Sequence, residues 1–288
     1  MASTLKIGEV SIKKGERKTI QLAVSHLYDG TDLSIPVEVI RGKDDGPTLF
    51  VSAAIHGDEI NGIEIIGRIL KSKLLKKMKG TLLAVPVVNV FGFNMLSRYL
   101  PDRRDLNRSF PGSKKGSLAS RLANVFMKEI VKNSTHGIDL HTGSIHRTNL
   151  PQIRACMNDS ETKRLAFDFG VPVILNSSTR DGSLREAARR KKIPMLLFEG
   201  GEALRFDEKV INIGVQGCFS VMQSIGMLTK RKKTARKEVF VSWASQWLRS
   251  PASGLFRTSK DVGAHVGEGE VLGYIKNQFG KTLCEVTS

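Results

Sequence analysis

The sequence predicts an α/β domain built on a mixed, mostly parallel sheet with helices on both faces, followed by a small all-β appendage. Three observations carry that expectation. Continuous apolar runs such as TLFVSAAI (48–55) and TLLAVPVVNV (81–90) suit strands covered on both faces. They alternate with segments of helical apolar spacing such as NGIEIIGRILKSKLLKKM (61–78). Past KRKKTARKE (230–238) the alternation gives way to short strand patterns with Gly turns.

In chain order, LKIGEVSI, KTIQLAVSHL and SIPVEVIRG read as short strands with polar turns, and GKDDGP (42–47) as a turn into the first buried strand. After the helix over 61–78 and the strand TLLAVPVVNV comes FGFNMLSRYLPDRRDLNRSFPGSKKGS (91–117). It is Arg-rich and Pro/Gly-punctuated, without periodicity, and a loop of that length in a compact domain points to function. Ser117 opens a helix over 117–134, and HGIDLHTGS (136–144) is a strand running into a loop. A helix (161–170), a strand (171–178), a helix (183–192) and the strand IPMLLFEGGE (193–202) follow, with a further helix from Glu208 to Leu228. The boundary is placed between residues 235 and 236. Beyond it VFVSWASQWLRS, ASGLFRTSK and EGEVLGYIKN read as strands, and TLCEVTS stops in mid-strand, which predicts a chain truncated at Ser288.

With 288 residues, 40% hydrophobic and 25% charged, the composition is that of an ordinary soluble protein. No apolar run approaches the roughly 18 residues of a membrane span. MASTLKIGEV lacks a secretory apolar segment. Three widely spaced cysteines, Cys156, Cys218 and Cys284, argue against a disulfide framework. The expectation is a reduced, cytoplasmic protein with no membrane partner. The net charge of +17 favours acidic partners in general, but only 6% of residues are aromatic and no RNA-binding aromatic motif is present, which argues against nucleic acid.

Chemistry enters at AAIHGDEINGIE (53–64), where a buried strand runs straight into His56 and Glu59. Polar groups at the edge of a core are costly unless paired or metal-bound. His141 follows the strand GIDL, Glu199 ends IPMLLF, and Asn107 and Arg108 lie in the long loop. In open α/β sheets ligands bind outside the carboxyl ends of the strands, so one rim collects all of these groups. His56, Glu59 and His141 make the His₂Glu set of a catalytic zinc, and Glu199 then fits the general base that deprotonates the attacking water. His265-Val-Gly-Glu268 repeats the spacing between glycines with no third ligand near, and reads as a turn. A guanidinium can bind a carboxylate bidentately, and Arg98, Arg103, Arg104 and Arg108 share the long loop, while His146, Arg147 and Arg154 follow the third ligand. Arg103 and Arg104 read as a solvated face, and His146 as facing substrate or supporting a ligand.

HGDE (56–59), DLNRSFPG (105–112), DLHTG (139–143) and FEGGE (198–202), in this order and spacing, resemble the succinylglutamate desuccinylase/aspartoacylase family, which is related to zinc carboxypeptidases. The resemblance covers residues 45–205 strongly. SPASGLF and GAHVGEGEVLGYI resemble half of a biotinyl/lipoyl-like β domain. The resemblance implies a zinc carboxypeptidase-like fold with one zinc per chain, held by His56, Glu59 and His141, and Glu199 as the catalytic glutamate. It implies that Asp105 orients His56, that Asn107 and Arg108 grip a substrate carboxylate, and that Arg98 polarises the scissile carbonyl. Either Arg180 or Arg185 supplies a further substrate arginine, and Tyr274 is the one candidate for a tyrosine that the aspartoacylase branch contributes from its C-terminal domain.

The expected function is a zinc-dependent amidohydrolase that releases an acyl group from a small, carboxylate-bearing N-acyl amino acid or related amine. The nearer alternative is a carboxypeptidase-type peptidase, which a covering β appendage would disfavour by restricting access. The more distant one is a basic non-catalytic binding protein, which has no use for a general base. The oligomeric state is left open.

Overall fold

The computed structural model describes residues 4–27, 29–229 and 238–288. The basic run 230–237, and with it the boundary drawn between 235 and 236, lies outside the described residues.

A hairpin of β1 (Leu5–Ile7) and β2 (Val10–Ile12) precedes the long antiparallel pair β3 (Arg17–His26) and β4 (Asp32–Arg41). Then come β5 (Thr48–Ala53), α1 (Asn61–Lys71), β6 (Thr81–Val85), α2 (Val90–Asn94) and α3 (Leu118–Glu129). The second half adds β7 (His136–Gly143), β8 (Asn149–Ala155), α4 (Ser160–Phe169), β9 (Val173–Asn176), α5 (Leu184–Arg190), β10 (Met195–Glu202), α6 (Glu208–Ser224) and β11 (Phe240–Ser242). Nine strands form one sheet in the order β11-β9-β8-β10-β7-β5-β6-β4-β3. The pairs β6–β5, β5–β7 and β7–β10 are parallel, as are β8–β9 and β9–β11. The mixed, mostly parallel sheet follows the sequence expectation.

Each face of the sheet has its own core, because alternate strand residues point to opposite sides. Phe50, Leu83 and Val85 pack with Leu122, Phe126, Leu184 and Ala188, which places α3 and α5 on one face. Leu49, Val51, Leu140 and Phe198 pack with Ile65, Leu165, Val210 and Val221, which places α1, α4 and α6 on the other. Among the described residues no helix is long and apolar enough to cross a membrane.

Three local expectations need correction. The helix read over 61–78 stops at Lys71, because the Ser72 hydroxyl accepts from the Leu74 amide and opens a separate 3₁₀ turn, Lys73–Lys77. The segment 149–155, read as loop, is β8, antiparallel to β10, with Leu197↔Arg154 and Glu199↔Gln152 in register. VFVS, assigned to the appendage, supplies β11, an edge strand of the large sheet paired in parallel with β9. The chain divides into compact units of residues 1–242 and 243–288. The smaller unit is a three-stranded antiparallel sheet, β12 (Leu255–Thr258), β13 (Val271–Lys276) and β14 (Thr282–Thr287), around the buried Ile275.

Candidate metal centre and active site

The first two polar groups are placed by a strained turn. β5 ends at Ala53, and Ala54 adopts φ 50°, a left-handed conformation that disfavours a residue with a Cβ. The Glu59 amide closes the turn on the His56 carbonyl at 3.1 Å, just before α1 begins. Gly57 is required there, since a Cβ would sit 2.0 Å from the Gly92 carbonyl carbon in α2. The third group, His141, comes from β7, parallel to β5 and adjacent to it.

These elements bring His56, Glu59 and His141 together, with one ligand atom of each within 4.8 Å of the others, and all three side chains are buried. Glu59 bridges the imidazoles: Oε1 lies 2.7 Å from His56 Nδ1 and Oε2 2.7 Å from His141 Nδ1. Each Nε2 faces a further carboxylate, His56 to Asp105 Oδ1 at 3.1 Å and His141 to Asp139 Oδ2 at 2.7 Å. Asp139 is itself held by the Ser52 hydroxyl at 2.8 Å. Arg98 closes one side, with Nη2 donating to Asp105 Oδ2 at 3.0 Å and Nη1 lying 3.2 Å from His56 Nδ1 and 3.4 Å from Glu59 Oε1.

Charge follows from this geometry. Burial disfavours the charged form of Glu59, but His56 and His141 outweigh it and hold the carboxyl well below the usual range. Burial likewise opposes protonation of His141, yet Asp139 and then Glu59 raise its pKa well above the ordinary histidine value. For His56, Glu59 and Asp105 overcome burial in the same direction. Burial and then Glu59 raise the pKa of Asp58, whose buried Oδ1 has no partner among the described residues.

Three carboxylates around two imidazoles make a pocket that favours cations. A divalent cation held by His56, Glu59 and His141 would take the place of the two Nδ1 protons, while both Nε2–H groups could stay donated to Asp105 and Asp139. The donor set, its spacing and its outer partners therefore fit a metal ion. His265 and Glu268 belong to no such group among the described residues.

Glu199 reaches the same face by register. It pairs with His141 across β10 and β7 and with Gln152 across β10 and β8. Residues paired side by side in neighbouring strands point to the same side of the sheet. Its Oε2 accepts from Asn149 Nδ2 at 2.8 Å, Gln152 Nε2 at 3.1 Å and Arg154 Nε at 3.1 Å. The chain turns sharply just after it. Gly201 has φ 73°, and a Cβ there would lie 2.7 Å from Asn61 Nδ2, an amide that bonds the Gly200 carbonyl and, through Oδ1, the Asp207 amide.

The remaining sequence candidates are spread more widely. Asp105 Oδ1 lies 3.1 Å from His56 Nε2; burial works against its charged form, and the hydrogen bond from His56 with the charges of His56, Arg98 and Arg108 prevails, holding it well below the usual range. Asn107 is buried and its Oδ1 accepts from the Leu184 amide at 2.9 Å, tying the long loop to the start of α5. Arg108 is exposed and its Nη1 folds back on the Asn107 carbonyl at 2.6 Å. Arg180 is exposed, whereas Arg185 is buried, bonding the Ser178 carbonyl and Ser177 hydroxyl through Nη2 and leaving Nη1 without a partner. His146 lies exposed in the turn between β7 and β8, and Arg103 and Arg104 are exposed as well. Sequence reasoning missed Asp139, Asn149 and Gln152. Asp139 stands two residues before His141 in one strand, and that alternation is the signal that could have found it.

The family model for the succinylglutamate desuccinylase/aspartoacylase catalytic domain matches residues 45–225. The N-alpha-acetyl-L-2,4-diaminobutyric acid deacetylase of Halomonas elongata is 26% identical over 250 residues, covering 83% of this chain and 72% of that protein. Among solved structures, a succinylglutamate desuccinylase/aspartoacylase from Rhodobacter sphaeroides superposes with a TM-score of 0.82 at 24% identity, covering 94% of this chain and 87% of that one. The product-bound ectoine utilization protein EutE of Ruegeria pomeroyi does so with a TM-score of 0.83 at 22% identity, covering 94% and 86%.

Proposed function

The chain belongs to the succinylglutamate desuccinylase/aspartoacylase family, and from that premise we propose that it is a zinc-dependent deacylase. Its reaction hydrolyses the amide joining a small acyl group to an amino acid or related amine. The observation that carries this reading is the pairing of two sites on one sheet face: Glu59 between two Nδ1 atoms, and Glu199 in register with His141. The name of the Halomonas elongata relative, a deacetylase of an N-acetylated diamino acid, points the same way.

His56, Glu59 and His141 would hold zinc, which would supply there a Lewis acid for acidifying water and polarising the scissile carbonyl. Asp105 and Asp139 keep both imidazoles oriented with Nδ1 inward. Glu199 takes a proton from the attacking water as its oxygen bonds the carbonyl carbon. The same carboxyl returns that proton to the amide nitrogen, the C–N bond breaks, and an amine and a carboxylate leave. Arg98, beside the donor group, stabilises charge developing on the carbonyl oxygen. Asn107, Arg108 and the buried Arg185 are assigned to recognition of a substrate carboxylate, with Arg185 preferred to Arg180 on burial.

The test is a hydrolysis screen of N-acetyl, N-succinyl and N-formyl amino acids, Nα-acetyl-L-2,4-diaminobutyrate included, on protein with measured zinc content. Amine release that a chelator abolishes and zinc restores is expected. Fully zinc-loaded protein that hydrolyses none of them contradicts the reading.

A further inference from the structure

We infer that Arg154 is a positioning residue that fixes Glu199 for proton transfer, an inference that rests on Glu199 being the proton carrier. β8 runs antiparallel beside β10, and its residues 152 and 154 point to the face that carries Glu199. Three donors from this strand converge on one oxygen, Oε2, at 2.8, 3.1 and 3.1 Å. Oε1 has no protein partner among the described residues. The carboxylate is therefore anchored through one oxygen while the other is left to take and return the proton.

Of the three donors, Asn149 and Gln152 are neutral amides. Arg154 supplies the one permanent charge, through Nε. A second cation lies behind it: the Arg185 guanidinium is buried, and its pKa is lowered first by that burial and then by Arg154, with Glu199 acting in the opposite sense. Glu199 thus sits in the field of two arginines, one tethering it and one buried nearby. The Nη1 and Nη2 atoms of Arg154 have no partner among the described residues, and its side chain is 39% exposed. They leave one rival role, anchoring a substrate carboxylate.

The two roles separate in kinetics. Arg154→Ala, Arg154→Lys and Glu199→Gln are compared in the full chain at equal zinc content, with Nα-acetyl-L-2,4-diaminobutyrate and the N-acyl amino acids of the screen. For Arg154→Ala the expected result is a fall in kcat of roughly 10- to 100-fold, the scale of one charge-assisted hydrogen bond, with KM and zinc content at parental values. Added guanidinium should restore part of the loss. Arg154→Lys, which keeps charge and stem but loses the planar fork, should fall between the two and serves as the folded comparison. If Glu199→Gln is inactive while both Arg154 variants keep parental kcat, the inference is overturned alone. A raised KM with parental kcat also overturns it and assigns Arg154 to the substrate. Near-parental turnover by Glu199→Gln overturns the proton-transfer reading and this inference with it.

Discussion

The two ends of the polar stripe on the sheet are held in opposite ways. At the end that would hold the metal, His56, Glu59 and His141 are 4%, 2% and 4% exposed, and all four imidazole nitrogens face a carboxylate. At the other end one Glu199 oxygen has no partner among the described residues, Arg154 is half-buried, and Arg108 is exposed. The groups that would bind one ion in one geometry are buried and held from two sides. Glu199, which would pass a proton, and Arg108, which would meet substrate, are held from one side only. Substitutions at the first end should therefore lose the metal, and substitutions at the second should lose turnover or substrate affinity with the metal retained.

The sharpest way to break that contrast is His141→Ala. Removing a ligand should abolish stoichiometric zinc and, with it, detectable hydrolysis, while Asp139 and Glu59 are left as buried acids without their partner. Elemental analysis after zinc reconstitution decides it, and parental zinc content would put the centre elsewhere. Asp139→Asn should be milder. It keeps the ligand but weakens its orientation, so zinc affinity should drop by roughly 10- to 100-fold with kcat largely recovered at saturating zinc.

The pH dependence of zinc binding has a definite sign. In the metal-free protein, His141 and His56 are held protonated above the ordinary histidine range, because their carboxylates outweigh burial. Zinc needs the Nδ1 lone pairs, so affinity should fall as pH drops, starting above that range, by up to about tenfold per pH unit for each proton displaced. A chelator-competition titration across pH measures this, and affinity that stays flat until carboxylates titrate would contradict it. By linkage, the raised histidines stabilise the metal-free fold at low pH, and that stability is lost as pH rises through their folded values. The smallest effect belongs to the open end: Arg108→Lys keeps the charge but not the fork, and KM for carboxylate-bearing substrates should rise by about tenfold with zinc unchanged. Parental KM toward every substrate would remove Arg108 from recognition.

What could be read in the sequence follows the same contrast. His56, Glu59 and Glu199 stood out because they follow continuous apolar runs, where burial makes a polar group conspicuous, and His141 because it follows the short strand pattern GIDL. The buried strands and amphipathic helices that carry them were legible for the same reason. β8 was not: NLPQIRA contains a proline and lies half-buried along most of its length, so neither alternation nor a continuous apolar run marks it. Its role depends on antiparallel pairing with β10, a long-range contact that no local pattern announces. Asn149 and Gln152 were lost with it, and Arg154 was seen only as one more basic residue of a loop. The helix over 61–78 was overextended because its apolar spacing continues past Ser72, whose side chain breaks it by capping the next turn.

On the proposed mechanism, metal binding and proton transfer reside in different residues of one face. Parallel zinc titration and steady-state kinetics on Glu199→Gln test it most directly, since the amide keeps the shape and cannot take the proton. Parental zinc affinity and an intact fold are expected, with kcat lower by a factor on the order of 10²–10⁴. Loss of zinc from Glu199→Gln, or turnover close to that of the parent, would contradict it.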